Sequence, residues 1–207
     1  MFTTGLSKQT QKNLVSLGSA SFVRNYYLAG GTALSLHFGH RFSKDLDFFS
    51  QTSATSGLIR LELLKLGNLE IFQNDEGAFS GTLNDVKLSF FIYPYRLLEP
   101  ALNFREIKVA GVPDIACMKI DAISSRGTKR DFIDLYFICQ QFKPIEDLLQ
   151  LYSKKYREAK FNGLHILKSL VYFADAENDV MPEMIKKISW EEVKEYFRKE
   201  AKQFRPL

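Results

Sequence analysis

The chain has little of what usually announces a chemistry. Its 207 residues contain 2 Cys, Cys117 and Cys139, too few for a disulfide framework or a thiolate metal cluster. Its 3 His, His37, His40 and His165, are too scattered for a zinc site. No apolar run approaches the roughly 20 residues that a membrane helix needs. There is no block of like charge: the net charge is +4, and the small cationic excess is shared between the two halves. Charge therefore permits a nucleic-acid partner without implying one. Internal repeats and low-complexity tracts are missing too. Met1-Phe2-Thr3-Thr4-Gly5 lacks a charged n-region and an apolar h-region, so no signal peptide is expected and the expected compartment is the cytoplasm.

What is present suits a folded domain. Hydrophobic residues make up 45% and charged residues 25%, enough apolar side chains for one core or for two small lobes. The stretch Leu28 to Ser50, LAGGTALSLHFGHRFSKDLDFFS, is the most informative. Gly30 and Gly31 make a turn in which missing Cβ atoms let the backbone take unusual angles and approach a ligand closely. Ala33, Leu34, Leu36 and Phe38 then follow helical spacing up to Gly39, a usual helix stop. Asp45-Leu46-Asp47-Phe48 alternates with period two. On a strand both aspartates share one face, and Leu46 and Phe48 share the other.

Two adjacent carboxylates repel, and a hard divalent cation relieves that repulsion. A glycine turn opening a helix offers backbone N–H groups and the positive end of the helix dipole, which suits phosphate. Together they make a site for a metal-bound nucleoside triphosphate, with Asp45 and Asp47 on the metal and Gly30, Gly31 and Thr32 on phosphate. The competing reading is a surface turn beside two solvated aspartates.

Along the chain, Ser7–Leu17 reads as a capped helix and 51–57 as a loop. A helix over Leu58–Leu66 follows, then strands at Leu69–Gln73, Phe79–Leu83, Val86–Tyr93 and Ile107–Val109. From Pro113 onward the pattern is helical: Asp114–Ser125, Lys129–Phe142, Ile145–Tyr156, Asn162–Ala174 and Trp190–Gln203. The expected fold is α+β, a mixed-sheet lobe over 1–112 followed by a helical lobe over 113–207.

In the segment Asp114 to Asp134, Lys119 and Arg126 fall near the centre of an apolar helical arc. A cation there meets an anion or snorkels out. That anion is either a bound triphosphate or a carboxylate such as Asp131 or Asp134. Thr128-x-x-Asp131 also fits a capping box.

Gly30-Gly31-Thr32 followed by Asp45-x-Asp47 resembles the signature of the DNA polymerase beta-like nucleotidyltransferase superfamily. The longer string LAGGTALSLHFGHRFSKDLDFF resembles the AbiEii/AbiGii toxin family of type IV toxin–antitoxin and abortive-infection systems. The resemblance runs from about Tyr27 to Phe137. It implies an active site in a cleft closed by the helical lobe, with Mg2+ or Mn2+ as cofactor and an NTP as substrate. The implied reaction transfers NMP to an acceptor hydroxyl, for which RNA, including a tRNA 3′ end, is one option. A separately encoded antitoxin would be a partner. Lys119 and Asp131 match the family's lysine and its K/R-D-x-x-D aspartate, which adds them to the catalytic set, with Arg126 as a further phosphate contact. One departure stands out: members commonly carry a third carboxylate on a neighbouring strand, where Val86–Tyr93 offers Lys87 and Ser89, with Asp85 at its edge. A phosphotransferase acting on a protein hydroxyl, or an NTP-binding module with little catalysis, remain the alternative functions.

Overall fold

The computed structural model describes residues 1–52 and 56–203, in two compact units, one ending at Gly111 and the other beginning at Val112. The first unit opens with α1 (Lys8–Gly18), capped by the Ser7 hydroxyl, which accepts the Thr10 N–H at 3.0 Å. A 3-10 turn over Ser21–Asn25 leads into β1 (Tyr27–Ala29), α2 (Gly30–Phe38) and β2 (Leu46–Ser50). After α3 (Ser56–Leu64) come β3 (Leu69–Asp75), β4 (Ala78–Leu83), β5 (Val86–Ile92), β6 (Leu102–Phe104) and β7 (Ile107–Val109). They form one mixed seven-stranded sheet in the order β3-β4-β5-β2-β1-β7-β6. β2 runs antiparallel to β1 and parallel to β5, and β1 runs parallel to β7.

The register is set by apolar burial. Leu46, Phe48, Leu88 and Phe90 are buried. Phe90 stacks on Phe48 at 4.9 Å and meets Phe22, Tyr26 and Phe79. Each such side chain contributes about 1.5–3 kcal/mol on burial. A slip of one residue in β2 would drive Asp45 and Asp47 into this core, so packing itself holds the acids on the opposite face.

Several elements of this unit differ from the sequence expectation, beginning with β1, a three-residue strand absent from that expectation. β6 is an additional strand, three residues long at the sheet edge. Its turn to β7 carries Arg105 and Glu106 at φ +51° and +63°, where glycine or asparagine would have signalled a hairpin. The loop read over 51–57 is shortened by α3, which already includes Gly57, and its residues 53–55 lie outside the described residues.

The second unit consists of α4 (Val112–Ser125), α5 (Lys129–Gln141), α6 (Ile145–Lys155), α7 (Gly163–Ser169), α8 (Ala174–Glu177) and α9 (Trp190–Ala201). The single helix expected over Asn162–Ala174 is thus two. α7 tightens at its end, where Val171 N–H bonds to Lys168 O at 3.2 Å. The chain then turns Phe173 inward against Phe132 and Trp190. α9 starts with a complete capping box, Ser189 with Glu192. Among the described residues no helix is long and apolar enough to cross a membrane.

Candidate active site

In the first unit the glycine turn and the aspartate pair come together. Gly30 opens α2 at φ +69°, and a Cβ there would stand 3.2 Å from Asp47 Oδ2. A Cβ on Gly31 would overlap the Arg41 guanidinium and lie 3.3 Å from Ser43 Oγ. The space freed by the two glycines is therefore bordered by a carboxylate on one side and a guanidinium on the other. Arg41 is buried and donates to Phe42 O at 2.9 Å. Beyond its closeness to Asp45 in the chain, nothing in the sequence singles Arg41 out, because the contact depends on the loop between α2 and β2.

The Thr32 side chain is engaged within the protein. It is buried, its hydroxyl lies 2.8 Å from Ser43 Oγ, and it donates a short hydrogen bond to the Asp45 carbonyl. With its only proton committed there, the hydroxyl fixes the backbone that presents Asp45. Any contact of Thr32 with phosphate would fall to its backbone N–H.

Asp45 immediately precedes β2, and Asp47 is its second residue; both are half-buried between the buried Leu46 and Phe48. Asp47 pairs in register with Ser89 of β5. Asp85 sits in the β4–β5 turn at φ +63°, exposed, about 13 Å of strand rise before Ser89. The β5 residue in register with Asp47 is therefore Ser89. Among the described residues no group of three or more His, Cys, Asp and Glu side chains is placed to hold a metal ion. Two carboxylates on one face do not make a closed structural site. They fit a hard divalent cation that takes its other oxygen ligands from a bound molecule.

The second unit gathers Lys119, Arg126, Asp131 and Asp134. Lys119 Nζ lies 2.8 Å from Asp131 Oδ1 and 2.6 Å from Asp134 Oδ2, with the lysine side chain 7% exposed and the two acids buried. Arg126, 64% exposed, grips Asp131 with two bonds, Nε at 2.9 Å and Nη2 at 3.2 Å. The Thr128 hydroxyl donates to Asp131 Oδ2 at 2.6 Å. No side-chain capping bond forms at Thr128, so the expected capping box is absent there; Asp179 instead accepts the Lys129 N–H at 2.9 Å. Burial pushes the Asp131 carboxyl up, but Lys119 and Arg126 outweigh it and hold it well below the usual carboxylate range. Such a group orients cations and is poorly matched to accepting a proton near neutral pH.

A second buried ion pair escaped the sequence. Lys155 Nζ meets Asp114 Oδ1 at 2.6 Å with both side chains fully buried, tying the end of α6 to the start of α4. In sequence each is an ordinary helix-end charge of favourable sign. Burial pushes both the Cys117 and Cys139 thiols up to about 12, which leaves neither as a nucleophile.

A mixed sheet followed by helices, with a glycine-opened helix against a strand-borne aspartate pair, is the make-up of a nucleotidyltransferase, and solved structures share this fold. The nucleotidyltransferase toxin MenT4 (Rv2826c) of Mycobacterium tuberculosis H37Rv aligns with TM-score 0.62 at 14% identity, over 94% of this chain and 82% of that one. JHP933 of Helicobacter pylori aligns with TM-score 0.58 at 17% identity, over 96% and 92%. The antibiotic-resistance factor ANT(2'')-Ia aligns with TM-score 0.53 at 16% identity, over 73% and 94%. The family model described as "Nucleotidyl transferase AbiEii toxin, Type IV TA system" matches residues 14–75 and 81–205. The chain belongs to that AbiEii family and is a nucleotidyltransferase. The match continues far beyond Phe137, through helices in which sequence alone offered only periodicity. An uncharacterized protein of Aquifex aeolicus (strain VF5) is 39% identical over 204 residues, covering 96% of this chain and 97% of its own length.

Proposed function

We propose that the protein is a metal-dependent toxin that transfers NMP from an NTP to an acceptor hydroxyl. The observation that carries this reading is the meeting of Asp47 with the Gly30-Gly31 helix start, with Arg41 on its other side. Asp45 and Asp47 would hold a divalent cation, magnesium or manganese. When bound, that ion would neutralise phosphate charge and align the triphosphate for attack. The backbone N–H groups at the α2 start and the Arg41 guanidinium supply positive charge for phosphate oxygens. Thr32 and Ser43 hold the segment that presents Asp45.

In the reaction the acceptor oxygen bonds to the α-phosphorus, the bond from that phosphorus to the bridging oxygen breaks, and pyrophosphate departs. The hydroxyl proton passes to water. In the helical unit, Lys119 is oriented by Asp131 and Asp134, so its assignment to phosphate rests on the family resemblance. Arg126 is the more exposed cation of that group. An RNA acceptor, a cognate antitoxin and residence in the cytoplasm are the biological setting that the family suggests.

Asp47→Asn tests the site directly. Calorimetry should show magnesium-dependent NTP binding in the wild type and its loss in the variant, with the melting temperature retained. Unchanged magnesium-dependent affinity in the variant would overturn the assignment.

A further inference from the structure

The outer face of α1 carries positive charge with no acid beside it. Lys8, Lys12, Val15 and Ser16 recur at the spacing that brings side chains to one side of a helix. Arg105 joins them from the β6–β7 turn. A Cβ on Gly18 would overlap the Arg105 carbonyl oxygen, so the bare glycine lets the turn lie directly against α1. The turn holds Arg105 at φ +51°, a backbone conformation that asparagine or glycine takes at less cost. Strained positions of this kind gather where a side chain is presented to a ligand.

With Gln11, these residues line a shallow groove of about 570 Å³. Its described lining holds three cations, Lys8, Lys12 and Arg105, and no carboxylate. Among the described residues none of the three takes part in an ion pair, and all three are exposed. Val15, 51% exposed, supplies an aliphatic patch between them, which the lysine stems extend. The Gln11 amide is turned toward the start of the chain, where it donates to Leu6 O at 3.2 Å. The groove therefore offers positive charge around an aliphatic patch. Charge complementarity calls for carboxylates, and the patch calls for an apolar side chain among them. A nucleic acid would use aromatic faces for its bases, and the described lining holds no ring.

We propose that this groove docks an acidic segment of a partner protein, with carboxylates on Lys8, Lys12 and Arg105 and one aliphatic side chain on Val15. None of the candidate active-site residues lies in α1 or the β6–β7 turn. The inference thus stands apart from the nucleotidyl-transfer reading and adds to it a protein partner of stated chemistry.

The test presents the full chain with random-sequence peptides displayed on phage. Synthetic, fluorescein-labelled copies of the enriched peptides are then followed by anisotropy. Enriched sequences should place Asp and Glu on both sides of a Leu, Ile or Val. Lys12→Glu and Val15→Ser should each weaken binding of the synthetic peptide about tenfold or more. Both side chains are exposed, so the melting temperature should be retained. Added salt should weaken binding too, as should Ser in place of the peptide's aliphatic residue. The proposal is overturned if no acidic sequence is enriched, or if the enriched peptides bind either variant as well as wild type. A single-stranded oligoribonucleotide that binds wild type more tightly than the peptide, and loses that affinity in Lys12→Glu, would overturn it in favour of nucleic acid.

Discussion

Asp47 on β2 stands directly beside Ser89 on β5, in register and on the same face of the sheet. The family resemblance read from the sequence would put a third carboxylate on this strand, where Ser89 stands. Ser89→Asp should therefore lower the magnesium concentration needed for NTP binding. Ser89 is buried, so the added charge should also cost stability without metal and recover it with metal. Magnesium titrations of NTP affinity and of melting temperature check both effects, with Asp85→Asn as a control expected to change neither. Unaltered metal dependence in Ser89→Asp would place the metal elsewhere.

Thr32 links helix α2 to the segment that presents Asp45. Thr32→Val keeps the shape and removes the hydroxyl, leaving the Asp45 carbonyl without that donor at a cost of about 1–3 kcal/mol. Turnover should fall more than stability does, and Thr32→Ser should restore both. If the valine variant turned over like wild type, Asp45 would not depend on this bond.

Lys119 neutralises two buried acids, so Lys119→Met should destabilise the helical unit by about 3–5 kcal/mol, read from chemical denaturation. The Asp131 carboxyl is held below its ordinary range, so its stabilisation is fully present above the unfolded pKa of about 3.9 and is lost as pH falls through the depressed folded value. Asp131→Asn should flatten the acid limb of the stability profile below about pH 4. A Lys119→Met protein as stable as wild type would show that the lysine serves a ligand more than its carboxylate partners.

The parts of this architecture that were legible in the sequence are those fixed by short-range pattern. Period-two alternation placed Asp47 and Ser89 on matching faces of their strands, because burying Leu46, Phe48, Leu88 and Phe90 allows no other register. Helical spacing put Lys119 inward, where it meets Asp131 and Asp134. What stayed hidden depends on contacts across the chain. Arg41 against Gly31 needs the α2–β2 loop, and Lys155 with Asp114 needs two helices to pack. The β6–β7 hairpin turns on Arg105 and Glu106, residues that carry no turn signal. Thr128 and Asp131 had the spacing of a capping box, but Asp131 binds Lys119 and Arg126, and the Lys129 N–H is capped by Asp179, fifty residues beyond that lysine.

The central claim is transfer of the α-phosphoryl group with its nucleoside, and one measurement addresses it. The full-length protein is incubated with magnesium, total RNA and each NTP in turn, labelled either at the α- or at the γ-phosphorus. At least one α-label should become covalently attached to RNA, no γ-label should, and Asp47→Asn should abolish the transfer. Label arriving from the γ-position, or α-label transferred equally well by Asp47→Asn, would contradict that claim.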